Sequence, residues 1–169
     1  MRQEIKIKIK PPFVKALRQG YPLIAKDAIA NPEVLKKENV IIHLVDDKNK
    51  FIAKGYYGKQ NKGYGWVLTY KEDETIDEAF FISKFKAAIT YRKDLYESTE
   101  TNAFRMFNGE GDGIGGLTID YFAGYYLVTW YSEGIYSFKE EVISALLKSI
   151  QVKGIYQKKR FDKIGRAHV

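Results

Sequence analysis

Residues 104–131, FRMFNGEGDGIGGLTIDYFAGYYLVTWY, contain the strongest fold signal in the chain. Two runs inside this stretch, LTIDYF and YYLVTWY, alternate along the chain and are rich in β-branched and aromatic side chains. The dipeptide Ala-Gly between them is typical of a tight turn joining antiparallel strands. We therefore predict a β-hairpin, preceded by a strand over AFRMFNG and a glycine-rich loop.

The glycine-rich loop contains G-x-G-x-x-G at 111–116, the spacing of a dinucleotide-binding turn. Such a turn needs a helix after the glycines, because the helix N-terminus faces the pyrophosphate. Here a strand is predicted to follow, and Glu110 and Asp112 place negative charge where phosphates would lie. The ligand run of a calcium loop is also absent. We interpret Glu110, Asp112 and Asp120 as turn formers and hairpin surface, and we predict no metal site.

Helical patterns flank the predicted hairpin. Two capping-box pairs predict helix starts: Thr75 with Glu78, and Ser137 with Glu140. Apolar residues recur at helical spacing after each pair, and GIYQKK is expected to form a last strand. Residues 76–162 are therefore predicted to form a small α+β domain that contains the antiparallel hairpin.

The first part of the chain has a different pattern. EIKIKI alternates cleanly, PPFVKALRQG predicts a short helix, and VIIHLVD, FIAKGYYG and WVLTY predict strands. Many short strands with one short helix fit a compact β-barrel over residues 1–71. The polar link near 71–76 is the predicted domain boundary.

Composition excludes several kinds of chemistry. The 169 residues contain no cysteine, so disulfides, thiolate metal sites and cysteine nucleophiles are excluded within this sequence. His43 lies in an apolar run and is interpreted as structural, and His168 is close to the last residue. No serine–histidine–aspartate set or phosphate-binding loop motif is present, so we predict no catalytic residue. With neither a signal peptide nor a membrane-spanning run, we expect no membrane partner and a cytoplasmic location.

Positive charge is concentrated in the first part. Residues 1–71 contain 15 lysines and arginines against 6 acidic residues, whereas residues 72–169 contain 13 against 15. The formal net charge of +7 therefore comes from the predicted barrel. This asymmetry favours a polyanionic partner, although a solubilising basic surface would give the same counts.

Basic and aromatic residues are interleaved in two segments of the predicted barrel, as in RNA-binding surfaces. We predict that one side of an RNA groove is lined by Lys15, Arg18, Gly20, Tyr21 and Lys26. We predict that the other side is lined by Lys54, Tyr57 and Lys59. The glycine would let the backbone approach a phosphate. The alternative, which is stronger for Trp66, is that the aromatic residues belong to the core.

Several of these stretches resemble a known family. LRQGYPLIAKDAI at 17–29 and AKGYYG at 53–58 are similar to segments of PUA RNA-binding domains fused to methyltransferases. FRMFNGEGDGIGGLTIDYFAGYYLVTWY, with GIYQKKRFD at 154–162, resembles the bacterial large-subunit ribosomal RNA methyltransferase I family. The sequence departs from the family pattern at Gly115, usually a proline, and at Leu23, often a tryptophan.

The resemblance implies an S-adenosylmethionine-dependent enzyme that makes 5-methylcytosine in ribosomal RNA. In this family a PUA domain and a small α+β domain precede a Rossmann-like methyltransferase domain, which binds the cofactor and carries a cysteine nucleophile. The expected fold class is therefore α+β, with that Rossmann-like domain absent. By this interpretation the chain is a fragment that binds no cofactor and is inactive alone, while the parent enzyme acts on ribosomal RNA and forms a homodimer. Residues 163–169 do not resemble the family and are expected to be a non-native tail.

Two other classes of function stay open at this point. One is a stand-alone adaptor that binds ribosomes or RNA without catalysis. The other is a protein-interaction module that uses the second part of the chain.

Overall fold

The computed structural model describes residues 2–161, and within them the named strands belong to two sheets. The predicted non-native tail lies outside the described residues. The strands of the first sheet are β1 (Glu4–Lys8), β2 (Leu23–Ala25), β3 (Ile41–Val45), β4 (Phe51–Gln60) and β5 (Gly63–Thr69). Their order is β1-β3-β4-β5-β2, with β1 parallel to β3 and the other neighbours antiparallel. Helix α1 (Pro11–Arg18) begins at two prolines, which suit a first turn whose N–H groups have no helical partner.

The second sheet follows a helical segment. Its strands are β6 (Ala103–Asn108), β7 (Leu117–Phe122), β8 (Tyr125–Trp130) and β9 (Gly154–Lys159), in the order β6-β7-β8-β9. The helices are α2 (Glu78–Tyr91), α3 (Lys93–Glu97), α4 (Glu133–Tyr136) and α5 (Lys139–Ser149). Strands β7 and β8 form a hairpin, whereas β9 runs parallel to β8.

The helices begin at other residues than the capping boxes predict. Asp77, rather than Thr75, is the N-cap of α2, and its carboxylate accepts a first-turn backbone N–H at 3.1 Å. Ser132 caps α4 at 3.3 Å, whereas the hydroxyl of Ser137 donates to the Gly134 carbonyl. Serine, threonine and aspartate have similar N-cap preferences, so a segment that contains several of them does not single out the first helical residue.

The predicted fold class is wrong where it excludes a Rossmann-like domain, whereas the predicted antiparallel hairpin is present as β7 and β8. Both sheets are mixed, because β1 and β3 are parallel and so are β8 and β9. In the second sheet α4 and α5 connect β8 to its parallel neighbour β9, and such β-α-β units are the building units of Rossmann-like folds. The alternation of apolar and polar residues along a strand indicates which face is buried. It does not indicate whether the neighbouring strand runs parallel or antiparallel.

The apolar core continues from the first sheet into the second. One cluster of buried side chains fills the first sheet and the inner side of α1. A larger cluster combines Tyr56, Trp66 and Leu68 of the first sheet with the buried side chains of α2, α5 and the second sheet. The domain limits 1–71 and 76–162 therefore stay predictions, since packing crosses between them.

A close contact between β5 and the glycine-rich loop holds the two sheets together. The ring of Trp66 lies so near Gly115 that a Cβ at that position would overlap it. The hydroxyl of Tyr56 donates to the Gly115 carbonyl at 2.6 Å, and burial raises the pKa of Tyr56, which keeps this donor protonated. Gly116 has a φ of +84°, in the left-handed region that favours glycine. We call Tyr56, Trp66, Gly115 and Gly116 the sheet joint.

We predict that Gly115→Ala lowers the free energy of unfolding by about 1–3 kcal/mol, because the added Cβ displaces Trp66. Urea unfolding followed by tryptophan fluorescence measures the change. Gly111→Ala is the matched control, because the nearest atom to its added Cβ lies 3.9 Å away, and we expect a change below about 0.5 kcal/mol. Equal stability of Gly115→Ala and the wild-type chain would contradict this packing role.

Candidate RNA interface

The end of α1 places four of the predicted RNA contacts on the surface. Lys15 and Arg18 lie exposed in its last turn, and Gly20 follows with a φ of +106° and open space around its Cα. The ring of Tyr21 is about half exposed. A positive φ directly after a helix is the common glycine-containing helix end, so the backbone conformation has a structural cause of its own.

Arg18 already has a partner. Its guanidinium donates to the Asp46 carboxylate at 3.1 Å, and 42% of the arginine side chain remains exposed. Asp46 also accepts the backbone N–H groups of Lys48 and Lys50, both at 2.9 Å. The Lys50 hydrogen bond, together with those from Arg18 and Lys48, outweighs desolvation and lowers the pKa of Asp46. A phosphate at Arg18 would therefore use the N–H groups that the carboxylate leaves free.

Lys26 lies in a different part of the first sheet. It follows β2, its side chain is exposed, and its backbone N–H donates to the Lys62 carbonyl in the β4–β5 turn at 3.2 Å. This hydrogen bond places Lys26 beside Lys62 at the turn of the β4–β5 hairpin.

The second side of the predicted groove is largely inside the protein. Lys54 is 5% exposed, and its ammonium donates to the Glu74 carbonyl at 2.9 Å. Tyr57 is 4% exposed, and burial raises the pKa of its phenol. Lys59 alone of these three is exposed, with its ammonium 5.4 Å from the centre of the Tyr64 ring. Lys54 and Tyr57 are therefore almost entirely covered, although a small part of Tyr57 lines the groove described next.

The structure forms a groove that the sequence did not predict. It has a volume of about 570 Å³ and lies between the segment before β3, the end of β4, α4 and the end of β9. Its basic lining consists of Lys36, Lys37, Lys59 and Lys159. A neighbouring depression of about 500 Å³ shares Lys59 and Phe161 with it and adds Arg160. We call these two depressions together the basic groove.

Tyr136 lies in the wall of the basic groove. The ammonium of Lys159 is 4.3 Å from the centre of its ring, and the ammonium of Lys139 is 3.5 Å from its hydroxyl. Burial opposes ionisation of this phenol, but hydrogen bonds and charge from the two lysines outweigh burial and lower the pKa of Tyr136. The ring of Trp130 packs edge-on against it at 5.6 Å and fixes its position.

Two acidic residues of the glycine-rich loop and hairpin, Asp112 and Asp120, pair with arginines. Asp112 accepts two hydrogen bonds from Arg92, at 3.1 and 2.8 Å, and both side chains are about seven-eighths buried. Asp120 pairs with Arg105 at 2.9 Å. The described residues contain no group of three side chains suited to hold a metal ion.

The glycine-rich loop does not offer a cofactor site among residues 2–161. It leads into β7 rather than into a helix, and its inner side is filled by the two aromatic rings of the sheet joint. Its Asp112 carboxylate is directed to Arg92 and to the Asn108 backbone N–H at 2.7 Å. These residues do not fit S-adenosylmethionine.

Within the described part of the chain, no helix has both the length and the apolar character needed to cross a bilayer.

The fold and its surface define a PUA-like domain packed on a mixed α/β sheet. A family model described as a PUA-like domain matches residues 7–70. The Bacillus subtilis protein "Putative ribosomal RNA large subunit methyltransferase YwbD" is 49% identical over 94% of this chain and 40% of its own length. "Ribosomal RNA large subunit methyltransferase I" of Alteromonas mediterranea is 28% identical over 91% of this chain, and the Klebsiella pneumoniae protein of the same name is 31% identical over 85%.

Solved structures give the same relationship. "A putative sam-dependent methyltransferase from Streptococcus mutans" superimposes with a TM-score of 0.84 and 30% identity, over 92% of this chain and 41% of that one. A second structure, described as a putative methyltransferase complexed with SAH, gives the same TM-score and identity. The chain is thus homologous to the ribosomal RNA large subunit methyltransferase I family, which confirms the resemblance stated from its motifs. It spans about 40% of the length of these relatives.

The structural comparison overturns the exclusion of a Rossmann-like methyltransferase domain. The chain aligns with methyltransferases over nearly all of its own length, and its second sheet contains a β-α-β unit. Because the alignment covers only two-fifths of those proteins, it provides no ground for stating that their catalytic fold is absent.

We predict that Arg92→Leu lowers the free energy of unfolding by about 3 kcal/mol, because it leaves the mostly buried Asp112 carboxylate without its partner. Thermal or urea unfolding measures this loss. Lys93→Leu is the matched control, because Lys93 is 71% exposed and lies 3.9 Å from Glu97, so we expect less than about 0.5 kcal/mol. If the two variants are equally stable, the Arg92–Asp112 pair does not stabilise the loop.

Proposed function

We propose that this chain is the RNA-binding portion of an S-adenosylmethionine-dependent ribosomal RNA (cytosine-C5) methyltransferase. In this proposal it positions ribosomal RNA for methyl transfer by a catalytic domain outside the chain. The observation that carries the proposal is 49% identity over 94% of the chain to a protein named as a ribosomal RNA large subunit methyltransferase. Ribosomal RNA as partner, a homodimeric parent enzyme and a cytoplasmic location belong to the same proposal.

Exposure decides which predicted residues remain in the proposed RNA contact. We retain those with charge or backbone accessible to a ligand: Lys15, Arg18, Gly20, Tyr21, Lys26 and Lys59. Arginine and lysine would contact phosphates, and the exposed Tyr21 ring would stack on an unpaired base. Lys54 and Tyr57 are left out, because their side chains are inside the protein.

The methyl donor belongs to the parent enzyme in this proposal. S-adenosylmethionine supplies an activated methyl group, and a thiolate makes the pyrimidine carbon nucleophilic toward it. The 169 residues contain no cysteine that could supply this thiolate. We therefore propose that the chain alone binds RNA and transfers no methyl group.

The same cysteine-free composition favours a second candidate, a stand-alone adaptor that binds ribosomes or RNA without catalysis. The genomic sequence past codon 169 distinguishes the methyltransferase portion from the stand-alone adaptor. An open frame that encodes a cofactor loop and a cysteine motif supports the methyltransferase, whereas a stop codon in the native gene supports the adaptor.

We predict that the purified chain binds structured ribosomal RNA with an affinity that falls as salt rises. Arg18→Glu with Lys26→Glu should weaken binding at all RNA sequences by about tenfold or more, because two phosphate contacts become repulsive. Filter binding at two salt concentrations measures both effects.

The matched control reverses two exposed lysines outside the proposed contact, Lys6 and Lys86. Lys6→Glu with Lys86→Glu makes the same change in net charge and should reduce affinity much less. If the control variant loses as much affinity as Arg18→Glu with Lys26→Glu, RNA binding depends on the net charge of the chain and not on Arg18 and Lys26. Absence of RNA binding by the wild-type chain would refute the proposed function.

A further inference from the structure

We propose that the basic groove binds a single strand of RNA, with Lys59, Tyr136 and Lys159 holding its phosphates. This inference rests on the proposed function and adds to it a specific site, which is distinct from the contact residues expected at α1. It would place the strand where the two sheets meet.

The cations of the groove are available. Five basic side chains line it, all of them exposed: Lys36, Lys37, Lys59, Lys159 and Arg160. Among the described residues, no carboxylate lies within 4.0 Å of any of these five charges. The other prominent cations differ, because Arg18 pairs with Asp46 and Arg92 pairs with Asp112. Unpaired cations in a concave surface attract a polyanion without first breaking an ion pair.

Two ammonium groups lie close to Tyr136 in the wall of the groove. The Tyr136 hydroxyl lies 3.5 Å from the Lys139 ammonium, and the Lys159 ammonium lies over the same ring. A phosphate oxygen at this position would accept from the hydroxyl and be neutralised by two ammonium groups. The carboxylates of Glu38 and Glu133 also line the groove, and Glu38 accepts two backbone N–H groups.

The walls of the groove are held by backbone contacts between the two sheets. One carboxylate oxygen of Glu38 accepts the Lys59 N–H at 3.0 Å and the Gly134 N–H at 3.2 Å. A Cβ at Gly134 would overlap the Tyr57 carbonyl, so β4 and α4 approach as closely as two backbones can. Glu38 therefore uses its charge to hold β4 against α4 at the wall of the groove.

The dimensions and lining favour a single strand over a duplex. Depressions of about 570 and 500 Å³ that share Lys59 and Phe161 form a path suited to a few nucleotides. The Tyr136 and Phe161 rings, 6.0 Å apart, give the path apolar surface for riboses and bases. Unpaired RNA presents both phosphates and base faces, whereas an A-form duplex presents mainly its outer backbone.

The test uses a fluorescently labelled single-stranded oligoribonucleotide, the duplex of the same sequence and the purified chain, with anisotropy measured over a salt series. Lys59→Gln with Lys159→Gln should weaken single-strand binding about tenfold or more. The slope of log K against log salt should fall by roughly 0.7 for each lysine removed. Lys6→Gln with Lys86→Gln is the matched control and should leave affinity within about twofold.

Tyr136→Phe tests the hydroxyl separately, because it keeps the ring and its packing. We expect a loss of about 3- to 10-fold in single-strand affinity with an unchanged salt slope, since no charge is removed. Thermal unfolding of each variant checks that the fold is intact. Duplex binding should change less than single-strand binding in all groove variants.

Wild-type affinity in both groove variants, while Arg18→Glu with Lys26→Glu still weakens binding, would overturn the groove and leave the proposed function intact. Equal losses for duplex and single strand would also overturn the single-strand assignment. If the wild-type chain binds neither RNA, the proposed function itself fails, so the two failures are distinguishable.

Discussion

The contact between the Trp66 indole and the backbone of Gly115 is the constraint on which the arrangement of the two sheets depends. A residue with a Cβ at position 115 would overlap the ring, and the Tyr56 hydroxyl binds the carbonyl of the same residue. Arg2 adds a second link, because its guanidinium stacks 3.8 Å from the centre of the Phe138 ring. The first sheet therefore packs on the second through backbone and aromatic surface, with little freedom to slide.

This packing also determines where charge is available. Residues of β4 that face the second sheet are buried, so Lys54 binds a backbone carbonyl instead of a ligand. Lysines at the rim of the same interface, such as Lys59 and Lys159, stay exposed and line the basic groove. The number of lysines in the first part of the chain is thus a poor guide to the RNA contact, whereas their pairing and burial are informative.

Much of the local structure follows from the sequence, and the assembly of the site does not. The hairpin from 117 to 130 is visible in the alternation of its two strands, and the strand predicted after the glycines is present as β7. The burial of Tyr57 could not be predicted from the sequence. Strand β4 is buried on both faces, so its apolar and polar residues do not alternate along the chain. The parallel pairing of β9 and the groove beside Lys159 depend on contacts between distant segments, which periodicity does not report. At Gly115 the departure from the family pattern marks the place where Trp66 packs.

Differential scanning calorimetry of the purified chain tests whether the sheet joint couples the two sheets. If the sheet joint makes the two sheets one cooperative unit, the chain unfolds in a single transition whose calorimetric and van't Hoff enthalpies are equal. Two separate transitions, or a calorimetric enthalpy well above the van't Hoff value, would show that the sheets unfold independently and that the sheet joint does not couple them.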